Sequence, residues 1–169
     1  MIIDNLLPEN ELKYLQEAVM WSDLIEYRLH SHVASRDEKD SLDNWYGTSL
    51  IYGDHRPTSQ HFDEVHSMFH KHLPDFASWM RIKLNFYPHT AEIYEHAQHY
   101  DWTFSHGAAI FCLNTCDGYT RIGDDTTIES VENRLYLFDG SIQHNSTTTT
   151  NAKGRFNFNF NYMRAQKFL

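Results

Sequence analysis

Four residues stand at spacings that could do chemistry. His99 and Asp101 lie two apart around Tyr100, His144 follows after a long gap, and Arg155 comes a little further on. Two imidazoles and one carboxylate form the ligand set that holds Fe(II) on one face and leaves positions open for a co-substrate and oxygen. In a β-strand, side chains i and i+2 point to the same face. The spacing therefore predicts that His99 and Asp101 reach one metal, with His144 supplied by a strand distant in sequence. Arg155 opens a run that alternates Phe with Asn up to Tyr162. On such a strand it can offer a fork of donors to a carboxylate.

Other residues compete for these roles. His61 and Asp63 repeat the same spacing, but in a helical pattern, where i and i+2 do not face together. They are expected to be an exposed helix pair. His89 and His96 are too close to His99 to come from a strand across a barrel, and His106 is expected in a loop, solvated or facing substrate. Cys112 and Cys116 lack a second Cys or His pair at zinc spacing. They read as reduced thiols of a cytosolic protein, which makes the expected location cytoplasmic.

The elements that must position these residues follow in order. Residues 8–20 open on Pro8 and acids and repeat apolar side chains at Leu12, Leu15, Val19 and Met20, which predicts a helix with a buried stripe. Residues 24–29 alternate weakly, as a first strand. Residues 35–44 are crowded with charge, have almost nothing to bury, and are expected to form a mobile loop. Residues 45–52 form a strand closed by Gly53 and Asp54. Residues 58–72 carry Phe62, Val65, Met68 and Phe69 at helical spacing, with Pro74 as the stop. Residues 81–87 alternate strictly, as a half-buried strand. Lys83 and Asn85 share a face with Tyr87 there, in a cavity or in solvent. Short strands then follow at 108–113, 119–122, 126–128, 134–138, 143–148 and 155–163, separated by turn signals. That rhythm suggests a β-sandwich or barrel, with the two upstream helices over one sheet face.

The chain of 169 residues is long enough for one domain with its own core. Its net charge of −9 disfavours sequence-independent nucleic-acid binding, because it repels phosphates. No apolar run approaches the roughly 20 residues of a membrane span, so no membrane partner is expected. The first residues also lack the pattern of a signal peptide.

The ordered set Tyr87-Pro88, His99-Tyr100-Asp101, residues 110–114, Asp117-Gly118-Tyr119-Thr120, residues 134–138, His144 and Arg155 resembles the 2-oxoglutarate- and Fe(II)-dependent dioxygenases, in their prolyl 4-hydroxylase-like branch. The resemblance spans roughly residues 81–163. It implies a mainly β fold, a double-stranded β-helix (jelly roll) covered by two or three helices. The whole chain, 1–169, would be one domain, with helical and strand support over 1–80 and the β-helix core over 81–163. His99, Asp101 and His144 match the Fe(II) ligands. Arg155 matches the residue that holds the distal carboxylate of 2-oxoglutarate, and Tyr87 matches a tyrosine lining that pocket.

There are departures from the family pattern. Many relatives carry a 2-oxoglutarate-binding tyrosine where this chain has Cys112, and the hydroxyl of Thr120 or Tyr94 could substitute. A frequent Gly-Gly is Gly118-Tyr119 here. On the Arg155 strand, Asn157, Asn159 and Asn161 share the arginine's face. A row of that kind lies either in solvent or along a polar pocket, and a barrel that binds a dicarboxylate calls for the pocket. The resemblance implies hydroxylation of a C–H bond using O2, most directly of a peptidyl proline, with His99, Asp101, His144 and Arg155 as the catalytic set. The alternatives are a small molecule or free amino acid as substrate, or a non-catalytic metal-binding jelly roll. The charged loop over 35–44 lies where such enzymes carry a lid. Its acids would suit a basic peptide or protein partner.

Overall fold

The computed structural model describes residues 1–34 and 42–165. The elements are β1 (Ile2–Ile3), α1 (Glu9–Val19), β2 (Arg28–His30), β3 (Tyr46–Gly53), β4 (Arg56–Pro57), α2 (Phe62–Phe69) with a 3-10 turn at His70–His72, β5 (Phe76–Pro88), β6 (Gly107–Cys112), β7 (Cys116–Ile122), β8 (Thr126–Ser130), β9 (Arg134–Asp139), β10 (His144–Ser146) and β11 (Gly154–Arg164). The large sheet runs β1-β9-β6-β11-β5-β3-β2 with β4 attached to β3, and a three-stranded sheet runs β10-β7-β8. All the named pairings are antiparallel. The two sheets face each other across a pocket lined from both sides, which is the jelly-roll architecture expected.

Strand β11 sits in the middle of the large sheet, between β5 and β6. Its period-2 pattern sends Phe156, Phe158 and Phe160 to one face and Arg155, Asn157, Asn159 and Asn161 to the other. The phenylalanine face is covered by the helices. Leu12, Leu15, Ala18 and Val19 of α1 and Val65 and Phe69 of α2 join it in one buried cluster with Leu84, Phe111 and Leu135. Phe69 packs with ring centroids 4.7 Å from Phe160 and 4.8 Å from Phe111. This is the stripe-on-sheet arrangement that the helical periodicity demanded.

The helices form where their patterns place them. The Pro8 carbonyl accepts the first bond of α1 from Leu12 N at 3.0 Å. The end of the chain before α1 is tied down by a feature the residue pattern did not show. Asn133 exchanges two 2.9 Å hydrogen bonds with the backbone of Leu7, and β1 adds an edge strand to β9. The weak alternation over 24–29 resolves into the short β2 at Arg28–His30. Most of the charged segment expected as a loop, residues 35–41, lies outside the described residues.

One carboxylate clips the small sheet to the turn before β11. Asp117 on β7 accepts hydrogen bonds from Thr149 Oγ1 (2.7 Å), Thr150 N (2.9 Å) and Thr150 Oγ1. Burial pushes the Asp117 pKa up, but the donors on Thr150 and Thr149 outweigh it and hold the group at about 2.

Two measurements check this account. Phe158→Ala removes a fully buried ring between helices and sheet and should cost about 3–5 kcal/mol in urea unfolding. Asp117 binds its proton more weakly in the folded chain than in the unfolded one. Its contribution is therefore complete above about pH 4 and is lost as pH falls toward 2. Asp117→Asn should flatten the pH dependence of the urea midpoint in that window. An unchanged slope would remove Asp117 from the account.

Candidate functional site

The chain between β5 and β6 crosses the mouth of the roll beside β10. It touches β10 through isolated antiparallel bridges at Glu95↔Thr147 and His99↔His144. A regular strand at His99 and Asp101 was expected, and the structure replaces it with this broken ladder. The reason is local. Side chains take backbone groups that a ladder would use: Tyr94 N donates to Thr148 Oγ1 (2.8 Å) and Asn145 Nδ2 to His96 O (2.7 Å). The bridge at His99 survives, with backbone bonds of 3.0 Å in both directions to His144.

That bridge sets the two imidazoles side by side, with centroids 4.7 Å apart. His144 Nδ1 donates to the Ile142 carbonyl at 3.0 Å, which leaves Nε2 as the lone-pair nitrogen. This Nε2 is buried without a hydrogen-bond partner and lies 3.7 Å from Asp101 Oδ2. His99 Nε2 lies 3.9 Å from Asp101 Oδ1. Donor atoms of the three residues all fall within 4.8 Å of one another, so they can hold one metal ion. Burial pushes both histidine pKa values down, His99 to about 4, so both rings are neutral near pH 7.

Asp101 is held from the large sheet. Asn161 Nδ2 donates to its Oδ2 at 3.1 Å and Asn159 Nδ2 at 3.3 Å. Arg81 of β5 sets Nη2 2.5 Å from Oδ1, with its guanidinium 4.9 Å over the Trp102 ring. Burial pushes the Asp101 pKa up, but Arg81, Lys83 and His144 more than offset it and keep the carboxyl ionised. Arg81 was missed from the sequence, although parity could have found it. It shares its face with Lys83, Asn85 and Tyr87. Lys83, for which the solvated placement was the commoner expectation, lines the pocket together with Asn85, Tyr87, Thr120 and Asn157.

His106 departs from expectation. It is buried, not solvated, with Nδ1 2.8 Å from the Phe104 carbonyl and Nε2 2.9 Å from Asn161 Oδ1. Gly140 makes the room, since a Cβ there would come 2.0 Å from His106 Nε2. His106 thus braces Asn161, which braces Asp101. In the control pair, Asp63 is exposed while His61 is half-buried against Glu64. Cys112 and Cys116 are both free and buried.

Arg155 lies beyond the triad and is 0 % exposed. Its Nη2 donates to Thr120 Oγ1 at 2.6 Å, its Nη1 reaches Thr147 O at 3.4 Å, and the guanidinium carbon sits 5.4 Å over the Tyr87 ring. Its Nε is buried with no partner, and among the described residues no carboxylate pairs with it. Gly118 leaves it space: a Cβ there would come 2.8 Å from Arg155 Cδ and 2.6 Å from Thr148 O. Of the two hydroxyls considered in place of a tyrosine at Cys112, Thr120 is the one that meets Arg155. Tyr94 stacks edge-on against His96 instead.

No family profile and no curated protein sequence matches this chain. Solved structures do. A prolyl-4-hydroxylase from Pseudomonas putida is similar at 15% identity, with a TM-score of 0.60 over 98% of this chain and 92% of that one. An oxidoreductase of the 2OG-Fe(II) oxygenase family from Burkholderia pseudomallei is similar at 11% identity, with a TM-score of 0.66 over 98% and 85%. A Trichoplax adhaerens prolyl hydroxylase, in complex with a peptide fragment of the hypoxia inducible factor oxygen degradation domain, is similar at 14% identity, with a TM-score of 0.52 over 97% and 83%. The fold is therefore that of the 2-oxoglutarate/Fe(II) oxygenases, prolyl hydroxylases included.

The site's metal capacity is directly measurable. In anaerobic Fe(II) titrations, His99→Ala, Asp101→Ala and His144→Ala should each weaken binding beyond the roughly 10–100-fold typical of losing an outer partner. Asn161→Ala leaves the three ligands in place while removing a hydrogen bond to Asp101, together with those to Asn159 and His106, and should stay inside that range. Full affinity in His144→Ala would dissolve the triad.

Proposed function

We propose that this protein is an Fe(II)- and 2-oxoglutarate-dependent oxygenase that hydroxylates a C–H bond, with a peptidyl proline as its substrate. The observation that carries the reading is Arg155. A fully buried guanidinium with only neutral partners is costly, and a carboxylate is the group that would repay it. Thr147, which Arg155 touches, stands three residues along the chain from His144, about 10 Å in extended backbone. That span suits a five-carbon dicarboxylate held by the arginine at one end and chelated at the triad at the other.

His99, Asp101 and His144 would hold iron, which with 2-oxoglutarate and O2 supplies the oxidising chemistry. The chain's own contribution is placement. His144 keeps its Nε2 lone pair on the site because Nδ1 is committed to Ile142 O. Asn159, Asn161 and Arg81 keep Asp101 ionised and aimed. Thr120 orients the Arg155 fork, and Tyr87, stacked on Tyr46 at 5.8 Å, walls the pocket against water. The peptidyl substrate is supported by the likeness to prolyl hydroxylases, one of them seen with a peptide.

The test is turnover. The protein with Fe(II), 2-oxoglutarate and O2 should release succinate and oxidise proline-containing peptides, scored by a mass gain of one oxygen. A jelly roll that only binds metal would release none. Arg155→Ala should keep iron but raise the Michaelis constant for 2-oxoglutarate by roughly 30- to 5000-fold, the loss of about 2–5 kcal/mol. An unchanged constant would remove Arg155 from the co-substrate site.

A further inference from the structure

Arg155 lies behind the pocket wall, against Thr120 and Tyr87, and a second cation reaches the pocket itself. Lys83 of β5 lines it, with His99, His144 and Asn159 around it. It is half-buried, and its ammonium lies 5.6 Å from the Tyr46 ring centroid. Among the described residues no carboxylate forms an ion pair with it. The nearby Asp101 is already engaged by Arg81, Asn159 and Asn161.

Register separates Lys83 from Arg155. On the paired strands Arg155 is level with Tyr87, and Lys83 is level with Asn159, the residue that bonds Asp101. Four residues of strand lie between the two levels, about 13 Å. A dicarboxylate anchored on Arg155 spends its other end on the triad. Lys83 stands level with that end, and among the described residues no carboxylate is paired with it. Burial and the neighbouring Arg81 push its pKa down to about 8, against the pull of Asp101, so an added anion there would be favoured.

We infer that Lys83 is a substrate-binding residue that receives a carboxylate, so the compound hydroxylated here carries a carboxylate close to the reacting carbon. The inference rests on the oxygenase reading and deepens it by assigning a substrate class. It also sets the sign of the pocket interior opposite to that of the acidic chain as a whole, whose net charge is −9. The carboxylate can belong to a small substrate itself or to an acidic side chain next to the reacting residue of a peptide. The chemistry that Lys83 recognises is the same in both.

The experiment uses two matched pairs on the full chain loaded with Zn(II) in place of iron. One pair is L-proline and L-prolinamide. The other is the blocked peptide Ala-Pro-Asp-Ala and its Ala-Pro-Asn-Ala counterpart. Binding is read by calorimetry with and without 2-oxoglutarate. In the wild type the carboxylate member of at least one pair should bind on the order of tenfold tighter than its amide partner. Which pair shows the preference tells the two sources apart. Lys83→Met and Lys83→Gln should erase the preference and Lys83→Arg should keep it, with urea midpoints confirming that each variant is folded. The proposal is overturned if the wild type shows no preference in either pair. It is also overturned if the preference survives in a folded Lys83→Met or Lys83→Gln. A loss of 2-oxoglutarate affinity in those variants as large as in Arg155→Ala overturns it as well, since Lys83 would then serve the co-substrate. Failure of the wild type to bind 2-oxoglutarate at all would sink the oxygenase reading instead. The carboxylate preference, measured without 2-oxoglutarate, still decides the role of Lys83.

Discussion

Strand β11 is buried on both faces, and the two faces make opposite demands. The phenylalanine face needs apolar cover, which α1 and α2 provide. The other face puts one guanidinium and three carboxamides out of water, where each polar atom left unpaired costs about 1–3 kcal/mol. The sheet can keep both only because the amides pair among themselves and with the site. Asn85 Nδ2 donates to Asn157 Oδ1 at 2.9 Å, and Asn161 Nδ2 to Asn159 Oδ1 at 2.8 Å, before the row ends on Asp101. The strand at the centre of the core is thus the strand that aims Asp101. A slip of one residue would put phenylalanines in the pocket and asparagines under the helices.

The choice of neutral amides on that face has an electrostatic logic. Two imidazoles and a carboxylate already compete for little solvent at the mouth. A further carboxylate would raise the affinity of Asp101 for a proton, and a further cation would repel a metal. Asparagine donates without adding charge. The cations that are present come from β5, one of them locked to Asp101, and from the far end of β11. Along β11 itself the wall therefore grades from neutral amides beside Asp101 to the guanidinium of Arg155.

Much of this was legible in the sequence, and the reasons are specific. The alternation over residues 155–162 showed the two faces of β11 but left its Asn side open to solvent or pocket, and only the expected dicarboxylate favoured the pocket that the structure shows. The helical stripes of α1 and α2 were readable because they are apolar at the right spacing. His106 does lie in the loop before β6, but its solvation was misread, because a loop histidine ordinarily faces water. Nothing local reveals that Gly140, far along the chain, opens a slot for its ring. The strand expected at His99 and Asp101 did not form as a ladder, since side chains of Asn145 and Thr148 claim backbone groups of the segment. Those partners are remote in sequence, and propensity cannot see them.

That broken segment also explains how the site combines rigidity with access. Regular strands supply the parts that must not move: Arg155 on β11, Thr120 on β7 and the asparagine row. His99 and Asp101 ride on a crossing chain fastened by single bridges and side-chain bonds. Such a segment has fewer backbone bonds resisting a small shift than a strand in the sheet centre, so it belongs to the less stable end of the structure. Three donor atoms now spread over as much as 4.8 Å can draw in around an ion by moving this one segment. The sheet that holds Arg155 need not move for that to happen. On the proposed reading, the roll is rigid where a bound anion would be positioned and adjustable where a metal would be enclosed.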